Sequence, residues 1–230
     1  MRTSSSFIFS FLFYFQLVEI VFAQIDRTQQ SQNIKDLNPY IVNVSTVTTT
    51  FSFERIGNNK NVALSSFFIS GNEISNVGLI PVLVGNIRVS WNLDLIGRMS
   101  AHSNKENALN IYGWGLVYKP GKEETISPWT FGINSGVYRS YNTNRSSSLS
   151  LSILRSVSIN NYGFALGVST NNVKGINYNV EQKTDSQNFQ YTFSNVIIGT
   201  TINLMGIKLL PSYIYNSKQS MVSIGLQKEF

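Results

Sequence analysis

The chain has 230 residues, no cysteine, a single histidine and a formal net charge of +6. Without thiols it can hold no disulfide framework, thiolate metal site or cysteine nucleophile. Its basic residues are scattered, so nothing reads as a nucleic-acid patch, and its length suits one domain.

Arg2 is followed by the apolar stretch FIFSFLFYFQLVEIVFAQ, which closes on Val21-Phe22-Ala23. A charged start, an apolar middle and small residues at the end predict a signal peptide over residues 1–23, cleaved after Ala23. Glu19 and the modest length of the stretch argue against a spanning helix. Residues 24–39 are Gln-rich, polar and aperiodic, and are expected to be a flexible periplasmic leader ending at Pro39.

From Tyr40 onward, apolar and polar residues alternate between clusters of Asn, Gly, Ser and Lys, which predicts strands joined by turns. The predicted strands are 41–55, 77–91, 93–101, 107–118, 128–141, 146–159, 162–171, 188–203, 206–216 and 220–230. Residues 62–70, VALSSFFIS, also alternate, but counting them makes the number of strands odd. They are assigned to a long first outer loop, 56–76, or to a strand extension above the membrane; a twelve-stranded barrel is the alternative.

The clearest strand sets Tyr162, Phe164, Leu166 and Val168 against Gly163, Ala165, Gly167 and Ser169. Residues 147–159 and 129–141 repeat the pattern, again with Ser, Gly, Thr or Asn on the polar face. Small uncharged residues suit the inside of a narrow barrel better than a face in water. Short connections near Asn92, Asn160 and Met205 are expected at one end, and the longer 172–187 connection at the other. Pro81 and Pro211 cannot donate to a ladder and are expected at a bulge or a rim. Two aromatic belts are expected. Tyr40, Trp91, Tyr118, Trp129, Tyr162 and Phe230 form one, and Tyr138, Tyr141, Phe189, Tyr191, Tyr213 and Tyr215 the other.

The last strand, MVSIGLQKEF, points Val222, Ile224 and Leu226 one way, with Phe230 in phase. In this it resembles the bacterial outer-membrane β-barrel proteins, porin-like and OmpA-type, with no subfamily identified. Their final strand alternates and ends on a Phe read by the barrel-insertion machinery. Lys228 departs from the pattern, which usually has Tyr or an apolar residue there. The resemblance implies an all-β fold, a closed antiparallel transmembrane barrel of about ten strands, between 8 and 12, over residues 40–230. It also implies bacterial outer-membrane localisation, both termini in the periplasm, and Phe230 as an assembly signal. The implied partners are outer-membrane lipid and the insertion machinery.

The sequence offers little chemistry. His102 has Ser100, Ser103, Asn104 and Glu106 beside it by proximity alone, in a polar loop where such neighbours arise by chance. No enzyme activity, catalytic residue, metal site or cofactor is expected. The inward-facing charges carry more information. Asp94 and Arg98 share one face, and Glu54, Arg88, Lys208 and Glu229 are also phased inward. They predict either an ion-pair network that fills the lumen or a charged constriction selecting small solutes. Arg88 is expected to meet Asp94 across a short turn. The functional expectation is a narrow passive pore for small solutes or a structural, surface-interaction barrel. The alternative from another class is a secreted soluble β-sandwich adhesin. Nucleic acid is not an expected partner.

Overall fold

The computed structural model describes residues 39–54, 56–57, 59–71, 79–104, 107–122, 125–140, 144–159, 162–178, 186–217 and 219–230. The expected signal peptide and the leader up to residue 38 lie outside the described residues. The first element is a helix, α1 (Pro39–Thr48). Strands β1 (Val62–Gly71), β2 (Ile80–Ser90), β3 (Leu93–Asn104) and β4 (Asn107–Tyr118) follow. A small separate hairpin, β5 (Gly121–Lys122) and β6 (Thr125–Ile126), interrupts the next connection. Then come β7 (Trp129–Ser140), β8 (Asn144–Ile159), β9 (Tyr162–Tyr178), β10 (Ser186–Leu204), β11 (Ile207–Asn216) and β12 (Gln219–Glu229).

Ten of these strands close into a barrel in chain order, β1 to β4 and β7 to β12, each antiparallel to its neighbours. The seam joins β1 to β12, from Ala63 opposite Glu229 to Gly71 opposite Met221. Phe230 extends the seam: its N–H donates to the Val62 carbonyl at 2.9 Å, and Asn61 N–H donates to the Phe230 carbonyl at 3.2 Å. Closure leaves no sheet edge, which is what a β-structure needs to cross hydrocarbon. Closure also overturns the β-sandwich alternative, because the ten wall strands form one sheet closed on itself and the only other sheet among the described residues is the short β5–β6 hairpin.

Alternation becomes inside and outside. Leu64, Leu83, Leu95, Ile133, Leu151, Leu166, Ile198 and Ile224 are exposed on the outer wall. Asn86, Asp94, Arg98, Asn134, Ser150, Asn171 and Gln227 are buried on the inner one. This apolar-out, polar-in distribution is the inverse of a soluble domain, and it is the arrangement a bilayer requires. Leu151 is 55% exposed at mid-strand. Leu151→Arg is expected to cost about 2–4 kcal/mol when the barrel refolds into lipid vesicles, and Ile159→Arg, at a rim, about 0–1 kcal/mol. Equal costs would contradict the membrane placement.

The two ends differ. The turns Trp91–Asn92 and Met205–Gly206, and the facing ends of β8 and β9 at Ile159 and Tyr162, lie at the rim that carries Phe230, the carboxy-terminal rim. At the opposite, distal rim, β8, β9 and β10 run 16, 17 and 19 residues, beyond the roughly 9–11 that span a bilayer. β9 pairs with β10 as far as Tyr178 opposite Ser186, whereas β11 meets β10 only from Val196 onward. Residues 172–178 and 186–187 of the expected 172–187 loop are therefore strand, and the rest of that loop lies outside the described residues. The tight turn at Met205 (φ 48°) and Gly206 (φ 84°) places a fully exposed methionine in the left-handed region. Met205→Asn suits that backbone better and is expected to raise stability by up to about 1 kcal/mol, read from the urea midpoint.

Five further expectations are corrected. Residues 41–55 are not a wall strand, and residues 62–70, assigned to a first loop over 56–76, are β1. The strand count is unchanged because one replaces the other. Pro211 sits at neither a bulge nor a rim. The β10–β11 ladder lapses between the pairs Gly199–Ser212 and Ile202–Leu209 and resumes in the same register, as a missing N–H dictates. Tyr138 is buried on the inner face rather than belonging to the distal belt. Tyr40 lies beside it at the distal end, not at the carboxy-terminal one.

Candidate functional site

The lumen is filled by described residues that precede β1, within 39–57. α1 occupies the distal half, where the Tyr40 and Tyr138 hydroxyls share a hydrogen bond of 2.8 Å. Between α1 and β1 the described residues have no regular secondary structure, and in the carboxy-terminal half the Gly57 N–H donates to Glu229 at 3.2 Å. None of residues 41–50 is more than 8% exposed.

A helix forms here against local propensity, since Ile41, Val42, Val44, Thr46, Val47 and Thr48 are β-branched and favour strands. Every wall strand already has two partners, so a segment inside the barrel must satisfy its backbone from within, and a helix does so. Pro39 opens it, where the missing N–H costs nothing.

The last four carbonyls of α1 would be orphaned in a buried place, and each is satisfied. Ser45 accepts from the Thr48 hydroxyl at 2.7 Å, and Thr46 and Val47 accept from Thr49 and Thr50 N–H at 3.1 and 3.2 Å. Thr48 accepts from Arg98 Nη1 at 2.9 Å. The same guanidinium reaches Asn134 Oδ1 through Nη2 at 2.6 Å, so a wall cation caps the negative end of the helix.

The wall is shaped for this segment. Gly113 and Gly136 face each other on β4 and β7, and the Thr48 carbonyl packs against both. A Cβ on Gly136 would lie 2.4 Å from that oxygen. The Phe53 ring covers Gly199 in the same way. Val44, Val47, Phe51 and Phe53 join Phe67, Leu154, Leu210 and Ile214 in an apolar core inside the barrel. Burying each phenylalanine contributes roughly 1.5–3 kcal/mol. The gap left between Thr46–Phe53 and strands β8 to β11 is about 30 Å³, room for about one water. The inner Ser and Gly residues thus make space for a threaded segment, not only for a narrow bore.

Wall asparagines bind the segment's hydroxyls. Thr49 donates to Asn171 Oδ1 at 3.2 Å, and Asn195 Nδ2 donates to Thr46 Oγ1 at 3.4 Å. Asn216 in turn donates to Asn195 at 3.0 Å. Near the carboxy-terminal rim the fastening becomes ionic. Lys208 lies 3.2 Å from Glu54 and 2.7 Å from Glu229, tying the threaded segment to β12 across β11. Glu54 also accepts from the Thr201 hydroxyl at 2.7 Å. Gln227 Oε1, fully buried, accepts from Ser52 at 2.6 Å and from Ser65 at 3.1 Å.

Of the charges phased inward from the sequence, Glu54, Lys208 and Glu229 meet in this cluster, although Glu54 comes from the threaded segment and not from a strand. Arg98 is separate, at the helix end. Arg88 and Asp94 are cross-strand neighbours, yet the Asp94 carboxylate pairs with Lys119 at 3.1 Å, and Arg88 donates to the Ile56 carbonyl. Lys119 follows β4 and is hydrogen-bonded through its N–H to the Asn92 carbonyl, which brings its ammonium to the rim beside Asp94. His102 and the buried Ser100 share the inner phase of β3 while Ser103 faces outward; Glu106 lies outside the described residues. The residues that sequence reasoning missed are Thr48, Phe53, Gly113, Gly136, Gly199, Asn134, Asn171 and Gln227. Asn134, Gly136 and Gln227 stood on polar faces that the sequence phased inward, but nothing in the sequence pointed to the segment they contact.

No family model matches the chain, and no curated protein matches its sequence. Solved structures resemble it in fold. The KdgM porin is 12% identical at a TM-score of 0.41, over 73% of this chain and 99% of that one. LpxR from Salmonella typhimurium is 6% identical at 0.43, over 73% of this chain and 100% of that one. The N-terminal β-barrel domain of Pseudomonas aeruginosa OprF is 11% identical at 0.32, over 74% and 98%. The chain's own architecture carries the conclusion. A closed antiparallel barrel with an even number of strands and an apolar outer band is the form in which a β-structure crosses a lipid bilayer.

Proposed function

We propose that this barrel is closed at rest by its own amino-proximal segment, residues 40–57, and works as a structural, surface-interacting membrane protein and not as a passive pore. The observation that carries the reading is the burial of residues 41–50 inside the wall, with the segment fastened by Arg98 at Thr48 and by Lys208 at Glu54. A solute path would have to displace both fastenings and the Phe51–Phe53 core. With the carboxy terminus in the periplasm, the long β8–β10 projection stands on the cell surface as the part available to partners. Phe230, in the seam between β12 and β1, serves here as part of the assembly signal.

Planar-bilayer recording of refolded protein tests the closed state. The wild type is expected to insert without sustained conductance steps. Steady, ohmic conductance from the unmodified protein would instead favour a narrow passive pore for small solutes.

A further inference from the structure

On the outer wall, at the distal rim, a row of residues runs across the strands through successive register pairs. Ala101 faces Asn110, Asn110 faces Arg139, Arg139 faces Arg145, and Arg145 faces Ile176. Two arginines therefore stand directly opposite each other on the outward face, an arrangement that repels unless an anion lies between them. One step closer to the membrane, the next row carries Tyr112, Val137, Ser147 and Lys174. Lys174, on the same face, is a diagonal neighbour of Arg145 and is exposed, as are both arginines.

No carboxylate among the described residues is placed to neutralise them. Glu54, Asp94 and Glu229 are committed to ion pairs in the lumen. The Arg139 guanidinium lies over the Tyr112 ring, 5.7 Å from its centroid, which holds it on the outer surface at the level of an interfacial aromatic. Immediately beside it, the wall forms a groove of about 610 Å³ lined by Phe68, Leu83, Met99, Ala101, Tyr112 and Arg139. The groove is apolar along its floor and cationic at its distal end.

We propose that this is a binding site for a phosphorylated lipid of the outer leaflet, its phosphate held by Arg139, Arg145 and Lys174 and an acyl chain laid in the groove. Two guanidiniums and an ammonium offer the charge-assisted donors a phosphate needs. The groove explains why the ligand is a lipid and not a soluble anion. The proposal rests on the outer wall meeting lipid but not on the closed lumen.

Native mass spectrometry of the detergent-solubilised barrel, titrated with diphosphoryl lipid A, with the same lipid freed of phosphate, and with inorganic phosphate, tests it. The wild type is expected to retain the diphosphoryl form at a concentration about tenfold or more below that needed for the dephosphorylated form. Arg139→Gln with Arg145→Gln should abolish that preference, and Lys174→Gln should reduce it. Ala101→Trp, which fills the groove, should weaken retention of both lipids. Heat-modifiable electrophoretic mobility verifies that each variant is a closed barrel. Equal retention of both lipid forms by the wild type, or an undiminished preference in the double arginine variant, would overturn the site. Displacement of the lipid by millimolar inorganic phosphate would overturn its assignment to a lipid. A chain that failed to form a barrel would show none of these contrasts and no heat-modifiability.

Discussion

Gly136→Val is expected to open the lumen. A side chain at this position collides with the Thr48 carbonyl oxygen at 2.4 Å and with the Thr48 Cβ at 2.7 Å. Both atoms belong to the last turn of α1, and neither is the loose end of a flexible side chain. Valine suits a strand, so β7 should keep its place and the helix end should give way. That movement breaks the Arg98–Thr48 bond and uncovers the Phe51–Phe53 core. A loss of about 1–3 kcal/mol is expected, together with conductance steps absent from the wild type. Gly97→Val is the control: it is also a strand glycine, but nothing lies within 4 Å of its Cβ. Stability and conductance should be unchanged there. Equal behaviour of the two variants in bilayers would show that the threaded segment does not block the lumen.

Lys208→Met should release the other fastening. The ammonium holds two carboxylates, Glu54 and Glu229, one from the threaded segment and one from β12. Removing it leaves both without their shared cation, in a place where the side chains are only 15–22% exposed. Breaking a fully buried pair costs about 3–5 kcal/mol; with this partial exposure about 2 kcal/mol is expected. Glu54→Gln in the same chain should restore roughly half, because one of the two uncompensated charges is gone. Urea-dependent unfolding of the single and double variants gives the coupling. A simple sum of the two single effects would mean that the cluster is a surface feature with no role in holding the segment.

Most of the wall was legible because a lipid-facing strand has to show its apolar residues at every second position. Leu149, Leu151 and Ile153 against Ser148, Ser150 and Ser152 left one phasing, and the structure keeps it. The threaded segment was misread for a physical reason. Residues 41–55 are rich in Val and Thr, which favour strands locally, and a helix there is decided only by the closed wall around it. The sequence nevertheless held a contrary sign. Thr46, Thr48, Thr50 and Ser52 fall on one face of that segment, and Asn43, Ser45 and Thr49 on the other, so neither face could meet hydrocarbon. Val62, Leu64 and Phe68 of β1 do provide one. Pro39 in front of the run was a helix-start signal as well.

The partners of the inward charges were harder to foresee. Asp94 and Arg88 lie opposite each other in register, as their spacing implies, but pairing also depends on what enters the lumen. Ile56 takes the Arg88 guanidinium, and the chain beyond β4 brings Lys119 to Asp94. Neither contact has a periodic signature.

The central claim is that residues 40–57 thread the lumen and do not form part of the wall. Because the chain has no native cysteine, Thr49→Cys with Asn171→Cys gives a clean cross-linking pair. The Thr49 hydroxyl lies 3.2 Å from Asn171 Oδ1 on β9, across the barrel from the seam. Mild oxidation of the refolded protein should form the 49–171 disulfide in high yield, seen as a shift in electrophoretic mobility that a reductant reverses. If residues 41–55 were instead the first wall strand, beside β12, Thr49 would be several strands away from β9. The folded barrel would then give no cross-link.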